Sequence, residues 1–436
     1  MDKQGTENEL LLKPDDIAAI VDRGVAETVR YVAQRSPFYR EAFRRDGVRA
    51  EMIRSVGDLE MIAPTCKEDL AAHTEEFHCV SREETADIVT TSGTTGRPVI
   101  YPLTRGDVAR LAQNERLSFT CAGITPGDTV LVAVTLDKCF MAGMAYYEGI
   151  KLLGATAVRV GSGSPAMLVD MVKRLGATAI VSVPSFLARV AEYARDRGID
   201  TASLGVKRLV CIGEPVRGAS FELNNLGGRI ADAWSAKVYS TYGATEVAGS
   251  LCECEAGCGG HLHPALLHVE ILDDDGRRVE PGGIGEVVAT TIGVDALPLV
   301  RFRTGDVSFL VSERCPCGRY TPRIGPILGR KNEMLKFKGT TVFPTSVYNV
   351  LDSISNVMDY VLVATASTEL SDELEVVAAV SNDSADAMAE IAERLKGALK
   401  VTPRIRFASS DQLAAARGSD GYRKKRLFVD RRAHSK

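Results

Sequence analysis

Apolar residues recur along this chain in two different rhythms, and the change of rhythm divides it. Up to about residue 85 the spacing is helical, with Ile17, Val21, Val25 and Val29 falling on one face. After residue 99, short apolar runs alternate with longer amphipathic ones. Strands are predicted at residues 129–134, 156–160, 178–183 and 209–212, with helices at 144–153 and 167–175 between them. That alternation is what a parallel sheet with crossover helices requires. The segment 238–243 continues the series. Beyond Cys252 the strands shorten and Gly-rich turns appear, as at Asp273-Asp-Asp-Gly276 between strands 268–272 and 285–291, which predicts an antiparallel subdomain. The last hundred residues read as a separate α+β unit. Strands are expected at 361–366, 374–380 and 404–408, and a helix at 385–399 with Ser381 or Ser384 as its cap. The boundary is expected in a short connection near residues 329–333.

Composition narrows the class. The 436 residues are 45% hydrophobic and 25% charged with a net charge of -4, values of an ordinary globular protein with no basic field for nucleic acid. No apolar run reaches membrane-spanning length, and the amino terminus lacks a secretory pattern, so a cytoplasmic setting without membrane contact is expected. Five of the ten cysteines, Cys252, Cys254, Cys258, Cys315 and Cys317, fall in two clusters. In a large chain of a reducing compartment, clustering favours metal over disulfides.

The densest chemistry lies in Thr90-Thr-Ser-Gly-Thr-Thr-Gly-Arg-Pro98, where two glycines stand among five hydroxyl residues ahead of the apolar pair Val99-Ile100. Glycine permits close backbone approach, and hydroxyls and amides supply the donors that polyphosphate oxygens require. The common nucleotide loop ending in Gly-Lys-Ser or Gly-Lys-Thr is absent. The turn Gly213-Glu-Pro215 and the run Val238–Gly243 stand at expected carboxyl ends of strands, where ligands gather in open α/β sheets.

Taken in order, Thr90–Pro98, Tyr242-Gly-Ala-Thr-Glu246, Arg303-Thr-Gly-Asp306, and Gly329-Arg330 followed by Lys336-Phe-Lys-Gly339 resemble the motif series of adenylate-forming enzymes. The whole chain, including Gly339-Thr-Thr-Val-Phe-Pro344, looks like the phenylacetate-CoA ligase branch of that superfamily. The resemblance implies a large adenylation domain (1–330) and a small mobile carboxyl-terminal domain (331–436). It also implies two half-reactions. A carboxylate and ATP first give an acyl adenylate and pyrophosphate; a coenzyme A thiol then displaces AMP.

Site roles follow from the resemblance. Thr91, Ser92, Gly93, Thr94, Thr95 and Gly96 would bind the β- and γ-phosphates, with Arg97 adding charge. Gly213, Glu214, Pro215, Tyr242, Gly243 and Thr245 would bind the nucleotide. Glu246 would ligand Mg²⁺, a cation that wants hard oxygen ligands. Asp306 would accept from both ribose hydroxyls, as a carboxylate suits two donors, and Arg330 would reach ribose or phosphate. Asn332 stands at the hinge position, which is commonly acidic in this branch. Near the end, relatives carry a Gly-Lys segment, whereas this chain has Gly421-Tyr-Arg-Lys-Lys-Arg426. Lys424 is assigned the catalytic position, with Arg423 and Lys425 as rivals; its ammonium would help bring two anions together. Phe140, Tyr146, Phe186, Ser240 and Thr241 are expected to line the acyl pocket.

Cys254, His261, Cys315 and Cys317 offer three thiolates and an imidazole, a tetrahedral zinc set with comparable positions in some members of the branch. Cys252, Cys258 and His263 compete for the shell, and the single residue within Cys315-Pro-Cys317 is shorter than the usual knuckle. A fully coordinated zinc would be structural, stapling the segment 252–317.

The reading is an ATP-dependent aryl-CoA ligase acting on a benzoate-, aminobenzoate- or phenylacetate-like acid, with ATP, Mg²⁺, coenzyme A and structural Zn²⁺. Two alternatives stand beside it: an enzyme that loads an acyl carrier protein, and an inactive nucleotide- or acyl-adenylate-binding protein. A homodimer is an allowed assembly.

Overall fold

The computed structural model describes residues 12–91, 98–337, 340–368, 371–417 and 427–432. The chain divides into two compact units, Met1–Thr304 with Ser308–Ile327, and Gly305–Val307 with Leu328–Lys436.

The first unit is built on a six-stranded sheet. In spatial order its strands are Thr156–Arg159, Thr129–Ala133, Ala179–Ser182, Arg208–Ile212, Lys237–Ala244 and Gly249–Cys252, all parallel except the last. Alternation places Leu131, Ala133, Ile180, Leu209 and Cys211 in one hydrophobic core and Val130, Val132, Val181, Val210 and Ile212 in another. Both faces are buried, which is why these strands read as continuous apolar runs. From Thr129–Ala133 the chain moves to one side to form Thr156–Arg159 and then crosses to the other to form Ala179–Ser182. The order therefore reverses there, a topological switch point of the kind beside which open sheets bind ligands.

The expected strands and helices of this sheet are present with boundaries shifted by a few residues. The unit also contains three helices that the spacing above does not predict: Arg105–Cys121, Pro184–Arg195 and Asn225–Trp234. The helix Arg105–Cys121 buries Asp107, Arg110, Asn114, Glu115 and Ser118 beside Leu111 and Leu117, so no apolar stripe marks it.

Antiparallel structure follows as expected. Strands Leu267–Leu272 and Gly285–Thr291 pair from Leu267↔Thr291 to Leu272↔Glu286. A three-stranded sheet joins Leu310–Val311, Arg323–Ile324 and Gly260–His261, with Arg323 opposite His261.

The second unit is α+β. Its sheet runs Arg404–Phe407, Ser371–Val380, Val357–Thr368, Phe428–Asp430. Tyr360, Leu362 and Ala364 face a core shared with Val347, Leu351, Ile391 and Leu395, while Val361 and Val363 pack with Leu413. Ser384 caps the helix Ala385–Leu399 by accepting from the Ala387 amide at 3.2 Å. Among the described residues no helix is long and apolar enough to cross a membrane.

Candidate active site and metal centre

Glu246 follows the strand Lys237–Ala244 in a tight turn that ends at Ala248, whose φ of +53° is left-handed. Its carboxylate is almost wholly buried, yet it faces the Lys67 ammonium at 3.9 Å. Lys67 opens the short helix Lys67–Ala72, and the bridge from Thr65 to Phe302 ties its approach to the antiparallel sheet. The motif series did not point to Lys67.

Arg110 secures the other side of that turn. Its guanidinium donates to the carbonyls of Ala248 at 2.6 Å, Ile292 at 2.7 Å and Leu266. Burial pulls its ordinarily very high pKa down to about 10, partly offset by Asp107. The following strand is pinned by a polar network. The Ser250 amide donates to Asn114 Oδ1 at 2.7 Å, Ser250 Oγ donates to Glu115 Oε2 at 2.6 Å, and Ser118 Oγ donates to the Ser250 carbonyl at 2.8 Å. Burial raises the Glu115 carboxyl to about 8 despite the hydrogen bonds from Ser250.

Of the glycine-rich loop, Ser92, Gly93, Thr94, Thr95, Gly96 and Arg97 lie outside the described residues, as does Lys424 with its rivals. The loop's base is described. The Thr91 amide donates to the Val99 carbonyl at 3.1 Å, and Thr91 Oγ1 accepts from the Val99 amide at 3.0 Å. The Thr90 amide donates to the Cys139 carbonyl at 3.0 Å, so the base of the loop is bonded to the turn that carries Phe140.

Gly213 has a φ of +72°. The Glu214 carboxylate accepts from the amide and the hydroxyl of Ser185, both at 2.9 Å, so it caps the first turn of the helix Pro184–Arg195. Asn224 Nδ2 donates to the Pro215 carbonyl at 2.9 Å, and Arg217 pairs with buried Glu253 at 2.7 Å. Ser240 donates its amide to Glu253 at 2.6 Å, and Thr241 lies opposite Cys252. Tyr242, Gly243 and Thr245 continue along the same strand and into the turn. Among the expected pocket residues, Phe140 is half-buried, while Tyr146 packs edge-on to Phe119 and Phe186 joins the core beneath the sheet.

In the second unit Asp306 lies opposite Arg330 in antiparallel register, and their side chains pair at 3.3 Å. Gly305 before it has a φ of +77°. Asn332 sits in the short 3-10 turn Lys331–Glu333, and its carbonyl accepts from Arg432 at 3.0 Å. Arg432 also donates to the Met334 carbonyl and to Asp372 and Asp430.

The ligand atoms of Cys254, His261, Cys315 and Cys317 lie within 4.8 Å of one another. Cys254 and Cys315 sulfurs are 3.5 Å apart, and His261 Nε2 is 3.5 Å from Cys317 Sγ. Thr321 Oγ1 contacts His261 Nδ1 at 2.8 Å and orients the ring so that Nε2 faces the sulfurs. Burial, reinforced by Arg319 and Arg323, lowers His261 to about 3, so its imidazole is neutral as a ligand must be. Burial pushes Cys254 and Cys315 up. For Cys317 burial also raises the pKa, but hydrogen bonds from the Arg319 amide and guanidinium, together with those from Cys315 and Cys254, outweigh it and bring the thiol down to about 7. The one-residue spacing works because Cys315–Arg319 closes a tight turn, with the Cys315 amide donating to the Arg319 carbonyl at 2.9 Å. Of the competitors, Cys252 packs in the sheet core and His263 Nε2 contacts Ser118 Oγ at 3.1 Å.

Residues 12–294 match the family model described as AMP-binding enzyme. The chain is 32% identical over 375 residues to a phenylacetate-coenzyme A ligase of Thermus thermophilus, covering 85% of this chain and 83% of that one. It belongs to the AMP-binding enzyme family. Within that adenylate-forming family it falls in the phenylacetate-CoA ligase-like branch. A phenylacetate-coenzyme A ligase of Escherichia coli is 27% identical over 76% of this chain and 75% of its own length. A solved 2-hydroxyisobutyryl-CoA ligase in its postadenylation state, with 2-HIB-AMP bound, superposes with a TM-score of 0.83 at 25% identity, covering 97% of this chain and 91% of that one. The protein is accordingly an ATP-dependent acid-thiol ligase. It forms an acyl-CoA by way of an acyl adenylate and releases AMP and pyrophosphate.

Proposed function

We propose that the acid is aromatic, of the benzoate, aminobenzoate or phenylacetate class, and that free coenzyme A is the acceptor. The observation that carries this reading is the 32% identity, over most of both chains, to an enzyme named for phenylacetate. The half-buried ring of Phe140, bonded through its turn to the base of the glycine-rich loop, supports an apolar acyl site beside the phosphates.

In this reading Thr91 and the loop through Gly96 receive the β- and γ-phosphates. Glu246 would hold Mg²⁺, whose charge offsets that of the triphosphate. Lys67 brings a second cation to the same carboxylate, suited to the oxygens that gain charge as pyrophosphate leaves. The Glu214 carboxylate is engaged by Ser185, so Gly213–Pro215 serves the nucleotide through its backbone. Asp306 receives the ribose hydroxyls, held in register by Arg330. Lys424 serves adenylation, and Asn332 is the hinge of a mobile small domain (331–436). Zinc at Cys254, His261, Cys315 and Cys317 has a structural role: three thiolates and an imidazole complete a tetrahedral shell.

The test is acyl-CoA formation from a panel of aryl, arylacetyl and short hydroxyalkyl acids, with free coenzyme A and a phosphopantetheinylated carrier protein in parallel. Aryl or arylacetyl acids should have the highest kcat/KM with coenzyme A. Preference for 2-hydroxyisobutyrate would overturn the aromatic assignment, and thioester on the carrier alone would overturn the acceptor.

A further inference from the structure

A fifth sulfur stands beside the four ligand atoms. Cys258 lies between Gly257 and Gly259, and a Cβ on Gly259 would come within 2.6 Å of the Ile324 carbonyl, so the turn is pressed against the strand Arg323–Ile324. Arg323 Nη1 consequently lies 2.7 Å from Cys258 Sγ and 2.8 Å from the Cys258 carbonyl. Arg323 is 3% exposed, and among the described residues it has no carboxylate partner: Nη2 donates to the Glu313 carbonyl at 2.9 Å, and Nε meets no partner there. A buried guanidinium without a counter-ion is costly, and the group it meets is a thiol. Cys258 Sγ is also 3.9 Å from Cys315 Sγ, and Cys258 is partly exposed whereas Cys315 is buried.

We propose that Cys258 is an oxidation site for hydrogen peroxide, and that its product, a disulfide with Cys315, strips one ligand from the metal centre. The inference rests on the zinc reading above. Peroxides oxidise cysteines that solvent reaches and that stand next to a second, resolving thiol, and Cys258 is partly exposed with Cys315 Sγ 3.9 Å away. In the first step the Cys258 sulfur attacks one peroxide oxygen. The S–O bond forms as the O–O bond breaks, and the thiol proton leaves with the departing hydroxide as water. In the second, the Cys315 sulfur attacks the sulfenic sulfur; the S–S bond forms, the S–O bond breaks, and hydroxide departs. Two sulfurs are oxidised by two electrons in all, peroxide is reduced to the level of water, and the metal loses a thiolate. An S–S bond is about 2.05 Å long, so the sulfurs, now 3.9 Å apart, close by about 2 Å.

The experiment uses the full chain as purified. Elemental analysis measures its zinc, a chromophoric chelator follows release during peroxide treatment, and peptide mass spectrometry maps the linked cysteines. The wild-type chain should carry zinc, release it with peroxide, yield a Cys258–Cys315 peptide and recover zinc binding after reduction by a dithiol. Cys258→Ser and Cys258→Ala should retain zinc, release it several-fold more slowly and give no linked peptide. A wild-type chain without zinc would remove the metal reading and the proposal with it. Zinc in the wild type but not in the variants would make Cys258 a ligand and overturn the proposal alone. Equal release rates, or a disulfide mapped to Cys254 and Cys315, would also overturn it.

Discussion

The Lys67 ammonium lies 3.9 Å from the Glu246 carboxylate, although 179 positions separate them in the chain. The pair joins the first turn of the short helix Lys67–Ala72 to the turn after the last parallel strand of the sheet. Losing Lys67 should therefore weaken chemistry more than folding. K67M is expected to slow acid-dependent pyrophosphate exchange by about 10²-fold, the usual loss for one preorganised electrostatic group, with a melting temperature close to wild type. Exchange at the wild-type rate would remove Lys67 from the site.

Glu246→Gln keeps size and burial while removing the charge. Pyrophosphate exchange should fall by about 10²-fold or more, and the magnesium concentration needed for half-maximal rate should rise. An unchanged magnesium dependence would contradict the assignment of Glu246 as its ligand.

Cys315→Ser should lower bound zinc and the melting temperature together, because metal binding at such a site contributes on the order of 10 kcal/mol of local folding free energy. A chelator should produce the same loss in the wild type and have no further effect on the variant. Normal zinc content in Cys315→Ser would refute that ligand.

Glu115 gives a pH signature. Its folded carboxyl is raised by burial from 4.5 to about 8, so between those values the native state holds a proton that the unfolded chain has released. Its contribution to stability is full below about pH 4.5 and is lost as pH rises through about 8. Glu115→Gln carries no such proton. Its stability relative to wild type should improve as pH climbs from 5 to 8, read by urea unfolding at several pH values. A constant difference across that range would show that Glu115 is ionised in the folded protein.

Much of the fold was legible because a sheet buried on both faces writes itself as unbroken apolar runs, and the antiparallel region writes itself in Gly-rich turns such as Asp273–Gly276. The helix Arg105–Cys121 was not legible. Arg110, Asn114, Glu115 and Ser118 spend their polar groups on carbonyls, amides and hydroxyls far along the chain, and nothing in their spacing announces it. Lys67 and Arg432 escaped for the same reason: each acts on a partner or loop distant in sequence. Cys315-Pro-Cys317 looked too short for a knuckle, and the Cys315–Arg319 turn shows how it presents both sulfurs. Glu214 shows the converse, a motif carboxylate whose side chain is engaged by Ser185.

The most direct measurement is a two-stage reaction read by mass spectrometry. The protein is mixed with ATP, magnesium and an aryl acid, and coenzyme A is added afterwards. The account predicts enzyme-bound aryl-AMP with pyrophosphate in the first stage and aryl-CoA with AMP in the second. Formation of ADP and phosphate, or aryl-CoA without a preceding adenylate, would contradict it.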